Sequence, residues 1–265
     1  MRVTTRTIAE KKQHGEKITM LTAYDYTFAR LLDEAEIDML LVGDSLSNVI
    51  QGNDTTLPVT LDEMIYHTKA VVKGAKEYSM VVCDLPFMSY QTSEKDGFRN
   101  AGRVMKETGA GAVKLEGGER VCGTVKLMTD NGIPVCGHLG LTPQSINQFG
   151  TYRTRGTTPE EASAIKNDAL ALQDAGVFAI VLEKIPAALA TEITKMLKVA
   201  TIGIGAGNGC DGQVLVLHDM LGLNEEFHPR FVRKYLKLAE DVRKAFKGYG
   251  DDVRSGDFPN KDESY

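Results

Sequence analysis

Residues 38–45 read DMLLVGDS, four apolar residues from Met39 to Val42 running directly into Gly43, Asp44 and Ser45. A stretch suited to a buried strand therefore ends on a carboxylate. The pattern recurs: SMVVCDLP ends its apolar run on Asp84, GAVKLEGG on Glu116 and FAIVLEKIP on Glu183. Short continuous apolar runs are expected of parallel strands covered on both faces. Eight occur in order, at Ile18–Ala23, Met39–Val42, Met80–Cys83, Gly111–Leu115, Ile133–Cys136, Phe178–Leu182, Thr201–Ile204 and Val214–Leu217.

Helical periodicity fills the gaps. Phe28, Leu31, Leu32 and Ala35 share one helix face, as do Leu61, Met64, Ile65, Thr68, Val72 and Ala75. Thr60 with Glu63 three residues later forms a capping box. Thr158 and Glu161 repeat it around Pro159, and Gly176 suits the stop. Phe231, Tyr235, Leu238, Val242 and Ala245 mark a final helix. Strands alternating with helices imply a parallel sheet. Eight such units predict an α/β fold of the closed (β/α)8 TIM barrel kind, with an open doubly wound sheet as the alternative. No linker divides the chain, so residues 1–265 are expected to form a single barrel domain with a polar C-terminal tail from about residue 248. The longest loop, 140–157, has a length that is often functional.

Charge and composition narrow the function. The 31 basic and 36 acidic side chains give a net charge of −5, which argues against a nucleic-acid partner. No apolar run approaches the ~18 residues of a membrane span. The N-terminus lacks the apolar core of a secretory signal, so a cytoplasmic location is expected. The four cysteines show neither a CxxC pair nor zinc spacing, and Cys83 and Cys136 read as small buried hydrophobes.

In a barrel the C-terminal strand ends face one mouth, where the chemistry occurs. Asp44, Asp84, Glu116, His138 and Glu183 each fall at or just beyond such an end. Crowded carboxylates in a low-dielectric mouth need protons or a cation, and oxygen ligands suit Mg2+. Each carboxylate taken alone could instead cap the following helix, and Ser45 reads as a cap or turn residue. Lys114 shares a strand face with Glu116 by alternation. It could bind a substrate carboxylate, pair with Glu116 or form a Schiff base. His138 is either a hydrogen-bonded structural group or a participant in the chemistry. The glycine run GIGAGNGCDG follows the seventh strand rather than the first, which does not suit a dinucleotide fingerprint. There it would give backbone room or cradle an anion.

The stretches TAYDYTFARLLDEAEID, LLVGDSL, DTTLPVTLDEMIYHTKAV, DLPFMSYQ, AVKLEGG, GHLGLTPQSINQFG, FAIVLE, TIGIGAGNGCDGQVLVLHDMLGL and VRSGDFP span nearly the whole chain. In that order they resemble the ketopantoate hydroxymethyltransferase family. The resemblance implies a barrel of the phosphoenolpyruvate/pyruvate type, assembled as a homodecamer. It implies transfer of a hydroxymethyl group from methylene-tetrahydrofolate to 3-methyl-2-oxobutanoate, giving ketopantoate for pantothenate biosynthesis. The partners would be a small 2-oxoacid and a folate, with Mg2+ stabilising an enolate. Asp44 and Asp84 match direct Mg2+ ligands and Glu116 a third metal-site carboxylate. Asp44, Ser45, Asp84 and Lys114 match positions that hold the oxoacid, and Glu183 matches the proton acceptor. His138 is a candidate support behind the metal site. Two departures are local: SLSNVIQGN after Asp44 is more polar than expected, and Lys184-Ile185 replaces a smaller or more apolar pair. A 2-oxoacid lyase or phosphonomutase, a Schiff-base aldolase using Lys114 and a non-catalytic barrel are the competing readings.

Overall fold

All eight apolar runs become parallel strands, hydrogen-bonded in sequence order and closed by a pairing of the first with the last. The computed structural model describes residues 2–265. Its strands are β1 Ile18–Thr22, β2 Met39–Val42, β3 Met80–Asp84, β4 Ala112–Lys114, β5 Val135–Gly140, β6 Ala179–Glu183, β7 Ala200–Ile204 and β8 Gly212–Leu215. The open sheet is thereby excluded. Two strands differ from the apolar pattern by two residues or more at an end. β5 continues past Cys136 through Gly137 and His138, so His138 lies inside the strand rather than beyond its end. A Cβ at Gly137 would come within 2.9 Å of Leu172 Cδ1, so this glycine makes room for a helix and does not break the strand. β8 starts two residues early, at Gly212, which pairs with both Ile18 and Ile202. A Cβ there would sit 2.4 Å from the Ile18 carbonyl oxygen.

Alternate residues of each strand point inward. Ile18, Met20, Met39, Leu41, Met80 and Val82 join equivalent residues of β4 to β8 in one dry cluster. Cys136 belongs to it, and both Cys83 and Cys136 are fully buried free thiols that burial pushes up to about 12. The helix Thr5–His14 closes the N-terminal end of the barrel by adding Ile8 to the same cluster. Burying one such side chain is worth about 1.5–3 kcal/mol. Lys11 and Lys12 fix that helix, at 2.5 Å from Asp38 and 2.7 Å from Asp211.

The helix starts are capped by Asp25, Thr60, Ser93 and Thr158, each accepting a backbone N–H three residues ahead. Thr60 and Glu63 form the full box. At Thr158 only half of it forms, because the Glu161 carboxylate turns to the Gly156 N–H at 2.7 Å and to Arg155 at 2.5 Å. Asp33, at the end of the helix Tyr26–Glu34, reaches across to the residues preceding β3. Its carboxylate accepts the N–H groups of Lys76, Glu77, Tyr78 and Ser79 at 3.1, 2.9, 3.0 and 2.7 Å. Burial opposes its ionisation, but these donors hold it below the usual carboxylate range.

The chain divides into two compact units, one ending at Leu215 and the other Val216–Tyr265. In the second unit the long helix is Leu238–Ser255, so Phe231 and Tyr235 precede it. Their segment is drawn away from helical pairing: the Tyr235 N–H bonds to the Met220 carbonyl at 2.7 Å and the Leu238 N–H to the Leu221 carbonyl at 3.0 Å. The helix continues through Gly248 and Gly250. The 140–157 loop contains a turn at Pro143–Ser145 and a short helix at Ile146–Phe149. No helix among the described residues is long and apolar enough to cross a membrane.

Candidate active site

Strand alternation carries the dry interior up to a charged layer. Two residues beyond Val82 comes Asp84; beyond Ala112 comes Lys114, then Glu116; beyond Cys136 comes His138; and beyond Val181 comes Glu183. Asp44 joins from the turn after β2. Asp44, Asp84, Lys114, Glu116 and His138 are all buried, whereas Glu183 keeps 17% of its side chain exposed at the mouth. The strands thus bring together every carboxylate, the lysine and the histidine singled out from the sequence.

None of these carboxylates caps a helix. Their oxygens serve one another's neighbourhood instead. Lys114 Nζ lies 2.5 Å from Asp84 Oδ1 and 3.3 Å from His138 Nδ1. The imidazole bridges two glutamates, with Nδ1 at 3.4 Å from Glu116 Oε1 and Nε2 at 3.3 Å from Glu183 Oε2. The Asp44 N–H donates to Asp84 Oδ2 at 3.2 Å. Ser45 does not cap the short helix Leu46–Val49 either; its hydroxyl meets the Tyr24 phenol at 2.8 Å.

Four carboxylates here face one ammonium and one imidazole, and ionisation follows from that excess. Burial, reinforced by Asp84 and Glu116, pushes Asp44 up to about 8. Burial also raises Asp84, against the pull of Lys114. Burial draws the Lys114 ammonium down, but Asp84, Glu116 and Asp44 outweigh it and hold it above its usual range. Burial and Lys114 draw His138 down, yet its bonds to Glu116 and Glu183 prevail and push it up to about 9. In its doubly protonated form the ring is a cation set between the two glutamate carboxylates. The ion pair with Asp84 at 2.5 Å engages Lys114 as an ammonium donor, which works against the free amine that Schiff-base chemistry requires.

A divalent cation suits the remaining excess. Asp84 Oδ1 and Glu116 Oε1 are buried and lack a hydrogen bond of proper geometry. No three acidic, histidine or cysteine side chains among the described residues converge to enclose an ion by themselves. Mg2+ does not need such a cage, since it is commonly held by one or two carboxylates with substrate oxygens and waters completing its shell. Asp44 and Asp84, linked through the Asp44 N–H, fit that arrangement, with Glu116 beside them.

Two contributors, Gln144 and Tyr90, escaped the sequence reading, and a third, Lys184, stood out there only as a departure from the family pattern. Gln144, in the TPQS turn, donates its side-chain amide to Asp44 Oδ2 at 2.9 Å and its backbone N–H to Glu116 Oε2 at 3.0 Å. The Tyr90 hydroxyl accepts the Glu116 N–H at 3.0 Å. Lys184, at a φ of 45°, ties the loop down through its ammonium to the Tyr152 carbonyl and through its own carbonyl to the Arg155 N–H at 2.9 Å. The loop's length was the available signal for Gln144, and the Lys184 departure for the tether. The glycine run is explained by packing: a Cβ at Gly209 would meet Thr191 Oγ1 at 2.0 Å, and at Gly207 the Ala187 Cβ at 2.5 Å.

A family model described as ketopantoate hydroxymethyltransferase matches residues 2–261. The chain is 59% identical over 266 residues to a 3-methyl-2-oxobutanoate hydroxymethyltransferase of Chlorobium phaeobacteroides, covering 99% of this chain and 96% of that protein. Among solved structures it resembles a phosphoenolpyruvate phosphomutase from Streptomyces platensis subsp. rosaceus, with a TM-score of 0.61 at 12% identity over 94% of this chain and 88% of the other. It also resembles 2,3-dimethylmalate lyase, of the PEP mutase/isocitrate lyase superfamily, with a TM-score of 0.57 at 13% identity over 100% and 93%. At those identities the shared property is the barrel.

Proposed function

The chain belongs to the ketopantoate hydroxymethyltransferase family, and from that premise we propose how its own residues transfer a hydroxymethyl group to 3-methyl-2-oxobutanoate in pantothenate biosynthesis. The observation that carries the reading is the charged layer, in which one carboxylate, Glu183, stands at the open edge while the others are buried behind it.

Asp44 and Asp84 would hold Mg2+, with Glu116 completing the acidic wall. Bound there, the ion would supply Lewis acidity toward the keto and carboxylate oxygens of the substrate. Lys114 contributes a fixed positive charge beside Asp84 and orients the substrate carboxylate. Ser45, steadied by Tyr24, offers a hydroxyl to the same substrate. Glu183 removes the C3 proton, and His138 Nε2, 3.3 Å away, holds its carboxylate in place. The C3 electron pair then bonds to the one-carbon unit of methylene-tetrahydrofolate. Both carbon–nitrogen bonds that hold that carbon to the folate break, one as the carbon–carbon bond forms and the other as water supplies the hydroxyl oxygen; the two nitrogens take up protons and tetrahydrofolate leaves. A homodecamer in the cytoplasm belongs to the same proposal, and analytical ultracentrifugation would test the assembly.

Deuterium exchange into C3 of 3-methyl-2-oxobutanoate, followed by NMR without folate, tests the central step. Mg2+ should support exchange by the wild type and EDTA should stop it. Glu183→Gln should slow exchange about 10²- to 10⁴-fold, the usual contribution of a positioned base, while leaving substrate binding measurable. Wild-type exchange retained in this variant would remove Glu183 from the role.

A further inference from the structure

Each metal-site carboxylate has one oxygen already taken by a protein N–H. Gln144 Nε2 occupies Asp44 Oδ2 at 2.9 Å, the Gln144 backbone N–H occupies Glu116 Oε2 at 3.0 Å, and the Asp44 backbone N–H occupies Asp84 Oδ2 at 3.2 Å. At Asp44 this leaves Oδ1 for an ion, whereas Asp84 Oδ1 already faces the Lys114 ammonium at 2.5 Å and Glu116 Oε1 faces His138 Nδ1 at 3.4 Å. Of these three N–H contacts only the one to Asp44 comes from a side chain, and only there does residue type decide which oxygen is held.

The Gln144 amide is fixed in that orientation. Its Oε1 accepts from the Tyr90 hydroxyl at 2.8 Å and from Gln91 Nε2 at 3.0 Å, while its Nε2 donates to Asp44 and to the Leu85 carbonyl at 3.0 Å. Turning the amide over would set oxygen against oxygen at both Asp44 and Leu85. All of its hydrogen-bonding capacity is used, and Tyr90 is itself anchored by the Glu116 N–H.

Coordination chemistry gives this pattern a consequence. Ca2+ takes six to eight oxygens and readily accepts both oxygens of a carboxylate, whereas Mg2+ demands a compact octahedron and takes carboxylates one oxygen at a time. We propose that Gln144 is a metal-selectivity residue: by holding Asp44 Oδ2 it confines Asp44 to one-oxygen ligation and favours Mg2+ over Ca2+. The inference rests on the Mg2+ reading above.

The test is calorimetric titration of the full-length protein with Mg2+ and, separately, with Ca2+, in the presence of 3-methyl-2-oxobutanoate. Wild type, Gln144→Met and Tyr90→Phe are compared. The wild type should prefer Mg2+. Removing groups that hold metal ligands commonly costs 10- to 100-fold in affinity. In Gln144→Met that loss should fall on Mg2+, so the Ca2+ to Mg2+ affinity ratio rises about tenfold. Tyr90→Phe, which loosens the amide without removing it, should shift the ratio less and in the same direction. Equal losses for both ions, or an unchanged ratio, would overturn the inference and leave the Mg2+ reading standing. A wild type that binds neither ion would overturn both. Should Gln144→Met lose its far-ultraviolet circular dichroism, Tyr90→Phe decides by the same criterion.

Discussion

Replacing Asp33 with alanine removes one carboxylate and orphans four backbone donors. The Lys76 and Glu77 residues are exposed, so water takes over their N–H groups. Tyr78 is half-buried and Ser79 is buried, and their donors at 3.0 and 2.7 Å lose their partner where water has poor access. An unsatisfied buried donor costs about 1–3 kcal/mol, and the lost bonds were charge-assisted, so the total should be about 4 kcal/mol. Against a net stability of about 5–15 kcal/mol this is a large fraction. It corresponds to a fall in Tm on the order of 10 °C. Urea unfolding followed by circular dichroism would measure it. The pH dependence supplies a second check. Because Asp33 is held below its ordinary range, its contribution is complete above the unfolded value of about 4 and is lost as pH falls through the folded value. The gap between wild type and variant should therefore be full near neutral pH and close in acid. A loss under about 1 kcal/mol, or a gap that does not narrow below about pH 4, would refute the reasoning.

Borohydride added with 3-methyl-2-oxobutanoate should leave Lys114 unmodified by mass spectrometry, because its neighbours keep it as ammonium; a reduced adduct on Lys114 would restore the aldolase reading. Gly140→Ala should lower kcat on the order of 10²-fold, since a Cβ at this φ of 94° would meet the Glu183 carbonyl oxygen at 2.2 Å and displace the base. Unchanged C3 exchange in that variant would show that Glu183 tolerates the shift.

Strand order, barrel closure and the charged mouth were legible because they depend on period and position. An apolar run ending on Asp84 or Glu183 announces both a strand and where its end points. His138 was misplaced by the glycine before it, since the sequence does not show that Leu172 packs against Gly137. Asp33 was illegible for another reason: its four partners lie 43 to 46 residues away, and no local pattern marks an aspartate near a helix end as the support of a distant strand. Gln144 is similar, reaching Asp44 across 100 residues. Its loop drew notice by length, but an amide carries no charge pattern to single it out. The final helix was misread at its start because Phe231 and Tyr235 have helical spacing while the backbone there pairs with the Met220–Leu221 segment.

The stoppered N-terminal end has a kinetic consequence. With Ile8 fully buried among the interior side chains, the barrel is a blind well with one opening. Whatever occupies the charged layer is covered by the next arrival. Under the proposed function a single opening predicts a queue, in which the small oxoacid enters first and the bulkier carbon donor second, and in which the spent folate clears the opening before the newly lengthened acid.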